Sequence, residues 1–194
     1  PPRIGKAAGN GDTVVKEDTG QMQNLKDELE HTVQNNEEFK SIANQVEMTM
    51  TPEGLQIEFV ENTGAVFFET GSSVIRPVAK ELISKIAPII ARSDRRAIIE
   101  GHTDAMPYPG QGYTNWDLST DRALSLSRLL MADGVSQKQF LQIRGYADTK
   151  LKKADDPTHF SNRRVTLLLP FKGIQDPTLD LPKDAFQSEK QAVV

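Results

Sequence analysis

The chain has no cysteine, three histidines and one tryptophan among its 194 residues. Without cysteine there is no disulfide framework and no thiolate metal centre. Aromatic residues are 6% of the chain, and no apolar run approaches the roughly 20 residues that cross a bilayer as a helix. Basic residues are not in excess. The formal net charge is −4, whereas nucleic-acid binding normally needs a basic face, so no nucleic-acid partner is expected. The opening residues, Pro1-Pro2-Arg3, are neither an initiator methionine nor a signal peptide, which predicts a piece of a longer protein. What is present is a sequence 37% hydrophobic and 26% charged, of a size that suits one domain with extensions.

Residues 1–20, "PPRIGKAAGNGDTVVKEDTG", carry four glycines, mixed charge and no sustained apolar period, which reads as a flexible linker. Residues 21–47 read as one amphipathic helix. Met22, Leu25, Leu29, Thr32, Asn36, Phe39, Ala43 and Val46 recur at steps of three and four, the spacing of a heptad seam. Six acidic residues there (Asp27, Glu28, Glu30, Glu37, Glu38, Glu47) face two lysines, an imbalance that matches the net charge of the chain. Two readings stay open: a helix lying on its own domain, or a helix that dimerises with Asn36 pairing across the seam.

Residues 48–172 read as the folded domain. Val46, Met48 and Met50 alternate, then Leu55, Ile57 and Phe59, with Pro52 and Gly54 in the turn, so a hairpin is expected. Pro77 suits the first turn of a helix. Val78, Leu82, Ile83, Ile86, Ile89 and Ile90 give that helix one apolar stripe, and Pro88 should end or kink it. "AIIEG" (97–101) is a strand. Leu118, Leu126, Leu129 and Leu130 mark a helix over about 117–132, stopped by Gly134. Strands follow at 140–147 and 163–170. The order β-β-α-β-α-β-β predicts a two-layer α/β sandwich with a mixed sheet, helical crossovers and a closing hairpin-like pair. Residues 173–194 should be a loose tail.

The densest chemistry lies in "GHTDAMPYPGQGYTNWDLSTDRA" (101–123). His102 and Asp104 are ligand types in an H-x-D pair, but no third ligand accompanies them, so no metal is expected. Asp104 with Asp117 or Asp121 has the form of a carboxylate pair, and Ser119 or Thr120 with His102 that of a nucleophile and base. No nucleophile elbow or oxyanion motif supports either, and Asp117 has a simpler use at a helix N-terminus. The chain is therefore expected to be no enzyme and to need no cofactor. Arg122 and Asp104 leave two readings: a structural ion pair, or two opposite charges that grip a zwitterion.

The motifs "GHTDA", N-x-x-L-S-x-x-R-A (Asn115, Leu118, Ser119, Arg122, Ala123), "GYAD" and "NRRV" occur in that order. With "FETGSSVIRP" they resemble the peptidoglycan-binding domain shared with outer-membrane protein A, over about 55–172. The resemblance implies that the α+β sandwich, preceded by the helix read from its spacing, binds the meso-diaminopimelate side chain of peptidoglycan without cleaving it. It implies that Asp104 takes the ligand's ammonium and Arg122 its carboxylate, with Arg163 and Asn115 in support and Thr103 lining the same loop. The longer loop with Pro107-Tyr108 and the pair Asn115-Trp116 are similar to the stator B subunits of the flagellar motor, the MotB type. That likeness implies a periplasmic fragment of a single-pass inner-membrane protein that anchors an ion-driven stator to the cell wall. It also implies a homodimer and a stator A subunit as partner through a membrane segment. The alternative is a wall-tethering domain of an outer-membrane porin or lipoprotein. Trp116 is expected in the core rather than in the wall of the pocket.

Overall fold

A computed structural model describes residues 10–64 and 66–172, and for residues 10–16 the backbone alone. Helix α1 spans Asn10–Gln34, followed by the hairpin strands β1 (Val46–Met50) and β2 (Gly54–Val60). Then come α2 (Pro77–Arg92), β3 (Ala97–His102), α3 (Asn115–Ala132), β4 (Phe140–Gly145) and β5 (Arg164–Pro170). The five strands form one mixed sheet in the order β1-β2-β5-β3-β4. The α/β architecture expected from the sequence is the one observed.

The hairpin forms with Met48 opposite Ile57. The closing pair does not. β4 runs parallel to β3 at the sheet edge, and β5 leaves it to lie antiparallel between β2 and β3. Burial explains the choice. β5 is buried at every residue from Val165 to Pro170, whereas β4 is half-buried throughout. A strand apolar on both faces belongs in the middle of a sheet.

The expected helix over 21–47 is corrected at both ends. α1 begins at Asn10, inside the expected linker, and ends at Gln34. Asn36 has extended backbone, and its side chain accepts a hydrogen bond from Glu38 N, which starts a single 3-10 turn, Glu37–Phe39. Asn36 is thus a cap, the use for which its short amide is best suited. The buried positions of α1 are Met22, Leu25, Leu29 and Val33. After Leu29 the stripe moves to Val33 rather than Thr32, as a straight 3.6-residue helix requires. This face packs on α2 and the sheet, so the helix lies on its own domain. Residues 1–9 of the linker and the tail 173–194 fall outside the described residues.

Pro88 does not end α2, which continues to Arg92. Its ring is exposed while Ile86, Ala87, Ile89 and Ile90 are buried. Burial of those four side chains outweighs the cost of a proline inside a helix, about 3 kcal/mol for the missing N–H bond and the ring's clash together.

Two glycines set the approach of α3 to the sheet. A Cβ at Gly101 would lie 1.9 Å from Ser119 O, and one at Gly145 would lie 2.1 Å from Thr120 Oγ1. The ends of β3 and β4 therefore meet the first turns of α3 in direct contact, and Ser119 Oγ accepts from Ala147 N at 3.0 Å. α3 starts in a capping box, in which Asp117 accepts from Thr114 N at 2.8 Å. Asp117 thus has the helix-terminal role read from the sequence. Arg122 follows, at a height fixed by these contacts.

Candidate functional site

Beyond the ends of β3 and β5 the backbone opens into a pocket of about 310 Å³. Its wall includes all five residues singled out in the sequence: Thr103, Asp104, Asn115, Arg122 and Arg163. Glu61, Phe68, Tyr108 and Leu118 complete much of the rest.

Asp104 is 6% exposed. Its Oδ2 accepts from Arg163 Nη1 at 2.7 Å, and its Oδ1 from Met106 N at 3.2 Å. Arg163 also donates from Nη2 to Asn62 O at 3.3 Å. Its geometry is therefore that of a brace between the carboxylate and the chain after β2. Asn115 donates from Nδ2 to Met106 O at 2.8 Å and to Asp104 O at 3.4 Å. It holds the loop backbone that presents Asp104. Thr103 Oγ1 is buried, with no hydrogen-bond partner among the described residues. A hydroxyl in that condition costs free energy until something bonds to it.

Arg122 is 4% exposed. Its Nε donates to Ser72 O at 2.9 Å, and its guanidinium carbon lies 5.1 Å from the centre of the Phe68 ring. Burial lowers its pKa; Glu61 is the strongest opposing charge and Asp104 a weaker one, while Arg163 adds to the lowering. No other hydrogen bond of this side chain is found among the described residues, so its terminal nitrogens have no hydrogen-bond partner there.

The 105–113 loop is fastened on both sides. Tyr108 donates to Gly71 O at 2.9 Å, and Tyr113 to Asp121 Oδ2 at 2.7 Å. The two rings meet edge to face at 4.9 Å. Burial and then Asp121 raise the Tyr113 pKa, so the phenol stays a donor. Trp116 is 53% exposed. That corrects the expectation of a core role, since the first turn of α3 points this residue to solvent; nor does it line the pocket.

His102 is buried, neither ring nitrogen has a hydrogen-bond partner among the described residues, and the ring stacks on Tyr146 at 5.3 Å. Burial first, then Arg164 and Lys150, push its pKa down to about 3. Among the described residues, no group of three His, Cys, Asp or Glu side chains is placed to hold a metal ion.

Of three further participants, Phe68 and Tyr108 stand in motifs quoted from the sequence but were given no site role there, and Glu61 stands in none. The motif pattern points at the strand ends and the α3 face. It carries no signal that a glutamate just after β2 is buried rather than solvated.

A mixed sheet with split crossovers, and a charged pocket at its strand ends, define a small α/β binding domain. Residues 67–164 match the OmpA family, half of the chain, and the chain belongs to this family. Among curated relatives it is 37% identical over 131 residues to an Escherichia coli O44:H18 protein that bears the name LafU, covering 68% of this chain and 43% of that one. It is 29% identical over 150 residues to Motility protein B of Escherichia coli K12, covering 76% of this chain and 49% of the relative. The chain thus spans about half the length of these curated relatives. A solved MotB-like protein of Desulfovibrio vulgaris shares the fold, with a TM-score of 0.66 at 17% identity over 81% of this chain and 96% of that one. The MotB-type resemblance read from the motifs agrees with these relatives.

Proposed function

We propose that the pocket binds the zwitterionic end of the meso-diaminopimelate side chain of peptidoglycan, without cleaving it. One observation carries the reading. A braced carboxylate, Asp104, and a buried guanidinium with free terminal nitrogens, Arg122, line one pocket without being each other's ion-pair partner. Asp104 receives the ligand's ammonium and Arg122 its carboxylate. Arg163 and Asn115 hold Asp104 and its loop in place, and the unbonded Thr103 hydroxyl gains a partner. Phe68 and Leu118 meet the aliphatic stem. A lysine side chain offers the ammonium alone and leaves Arg122 desolvated without a partner, so diaminopimelate is preferred.

The similarity to Motility protein B supports a larger role. The chain is the periplasmic part of a flagellar stator B subunit, and it fixes an ion-driven stator to the cell wall so that torque acts on the rotor. In that role the full protein is a single-pass inner-membrane protein, works as a homodimer and meets a stator A subunit through its membrane segment. The stripe Met22–Val33 is already buried in the domain, so the dimer contact lies elsewhere. Sedimentation with purified sacculi tests the binding role. Wild type pellets with the wall, whereas folded Arg122→Ala and Asp104→Ala stay in the supernatant. Equal pelleting of either variant would refute it.

A further inference from the structure

The pocket contains four charged side chains, and the sequence motifs account for three. The fourth, Glu61, is 3% exposed. It follows β2 directly, and its own N–H donates to Arg163 O at 2.9 Å. Oε2 accepts from Val66 N, and Oε1 from Phe67 N at 3.2 Å and Phe68 N at 2.8 Å. Three backbone N–H groups thus converge on the two oxygens of one carboxylate, an arrangement that suits its charged form. The chain from Phe68 to Ser72 supplies the ring and the carbonyl that hold Arg122. Glu61 therefore anchors the start of the loop that grips Arg122, and its charge stands in the same pocket. Two carboxylates and two guanidiniums sum to zero; without Glu61 the sum is +1.

We propose that Glu61 is the specificity-determining residue of the pocket: its buried carboxylate makes the site electrically neutral and so makes it select a zwitterion over an anion of the same shape. The inference rests on the peptidoglycan reading above. A zwitterionic ligand end leaves a neutral pocket neutral. An anionic end leaves one uncompensated charge in a partly desolvated site, where imbalance is costly. A glutamate that served only as a loop anchor would act through Arg122 and alter the affinity of the two carboxylate-bearing ligands, diaminopimelate and 2-aminopimelate, alike.

Three tripeptides test this by titration calorimetry: L-Ala-γ-D-Glu followed by meso-diaminopimelate, lysine or 2-aminopimelate. Their side chains end in a zwitterion, a cation and an anion on one stem. Wild type should bind the diaminopimelate peptide at least about tenfold more tightly than the 2-aminopimelate peptide, roughly 1.4 kcal/mol. In Glu61→Gln the 2-aminopimelate peptide should gain about tenfold relative to diaminopimelate, and Glu61→Asp, which keeps the charge, should retain the wild-type order. An unchanged order in folded Glu61→Gln overturns the proposal and leaves the peptidoglycan reading intact. Wild type binding none of the three refutes that reading, and the proposal with it. Should Glu61→Gln not fold, Arg163→Gln tests the same sum. Only if Glu61 counts does the pocket become net negative, and the lysine peptide then gains about tenfold on diaminopimelate; no gain overturns the proposal.

Discussion

Arg163 Nη1 donates to Asp104 Oδ2 across 2.7 Å, between residues 59 positions apart. The topology makes this contact. β5 lies antiparallel to β3 with Arg164 opposite His102, so the residue before β5 and the loop after β3 emerge side by side. The pair fixes Asp104 as a carboxylate aimed into the pocket and leaves Arg122, on α3, as a separate cation. Two opposite charges are thereby held apart on rigid supports, at little ordering cost on binding.

The packing of α1 gives the first stability prediction. Leu29 is fully buried among the side chains of the core. Leu29→Ala should cost about 2–5 kcal/mol and lower the thermal midpoint by roughly 5–15 °C, at any protein concentration. An unchanged midpoint would mean that α1 is not part of this core.

Asp18 joins the same helix to the far side of the domain. Its carboxylate pairs with Arg95 at 2.7 Å and accepts from Lys172 N at 2.8 Å, and both side chains are buried. Burial alone would raise the Asp18 pKa, but Arg95 and the Lys172 N–H hold it below its ordinary value. A depressed carboxylate contributes stability that is complete above about pH 4 and is lost as pH falls through the folded pKa. Asp18→Asn should cost about 3–5 kcal/mol at pH 7, because it strands a buried arginine. It should also flatten the fall in stability below pH 4. Denaturant midpoints at pH 7 and pH 3 read both effects.

His102 acts in a different window. With its folded pKa near 3, the unfolded chain takes up a proton below about pH 6.5 that the folded chain refuses. Stability should fall as pH drops from about 6.5 towards 3, and His102→Gln should remove that component. Carbon-13 shifts of the imidazole should report a neutral ring at pH 5. Titration near pH 6.5 would contradict its burial.

Much of this architecture is legible in the sequence because local pattern and tertiary role agree. Alternation marks β1 and β2, the apolar stripe marks α2, and the N-x-x-L-S-x-x-R-A motif places Arg122 on the buried side of α3. What is not legible depends on partners distant in the chain. Asn36 fits a heptad seam by spacing, and only its extended backbone and its capping bond to Glu38 N show that the helix has stopped. Trp116 is apolar by type, yet it lies on the outer side of a first turn. Arg163 and Arg122 are both arginines near one aspartate, and only the strand order decides which of them pairs with it. Glu61 has no motif at all; its burial is a product of the loop that folds back over it.

The central claim is tested most directly by titrating the isotope-labelled protein with the diaminopimelate tripeptide and following its amide and arginine Nε signals. Shifts should concentrate at Phe68–Ser72, Thr103–Tyr108, the first two turns of α3 including Arg122 Nε, and Arg163, and should be much smaller with the lysine tripeptide. No shifts at millimolar peptide, or shifts centred away from this pocket, would contradict the account.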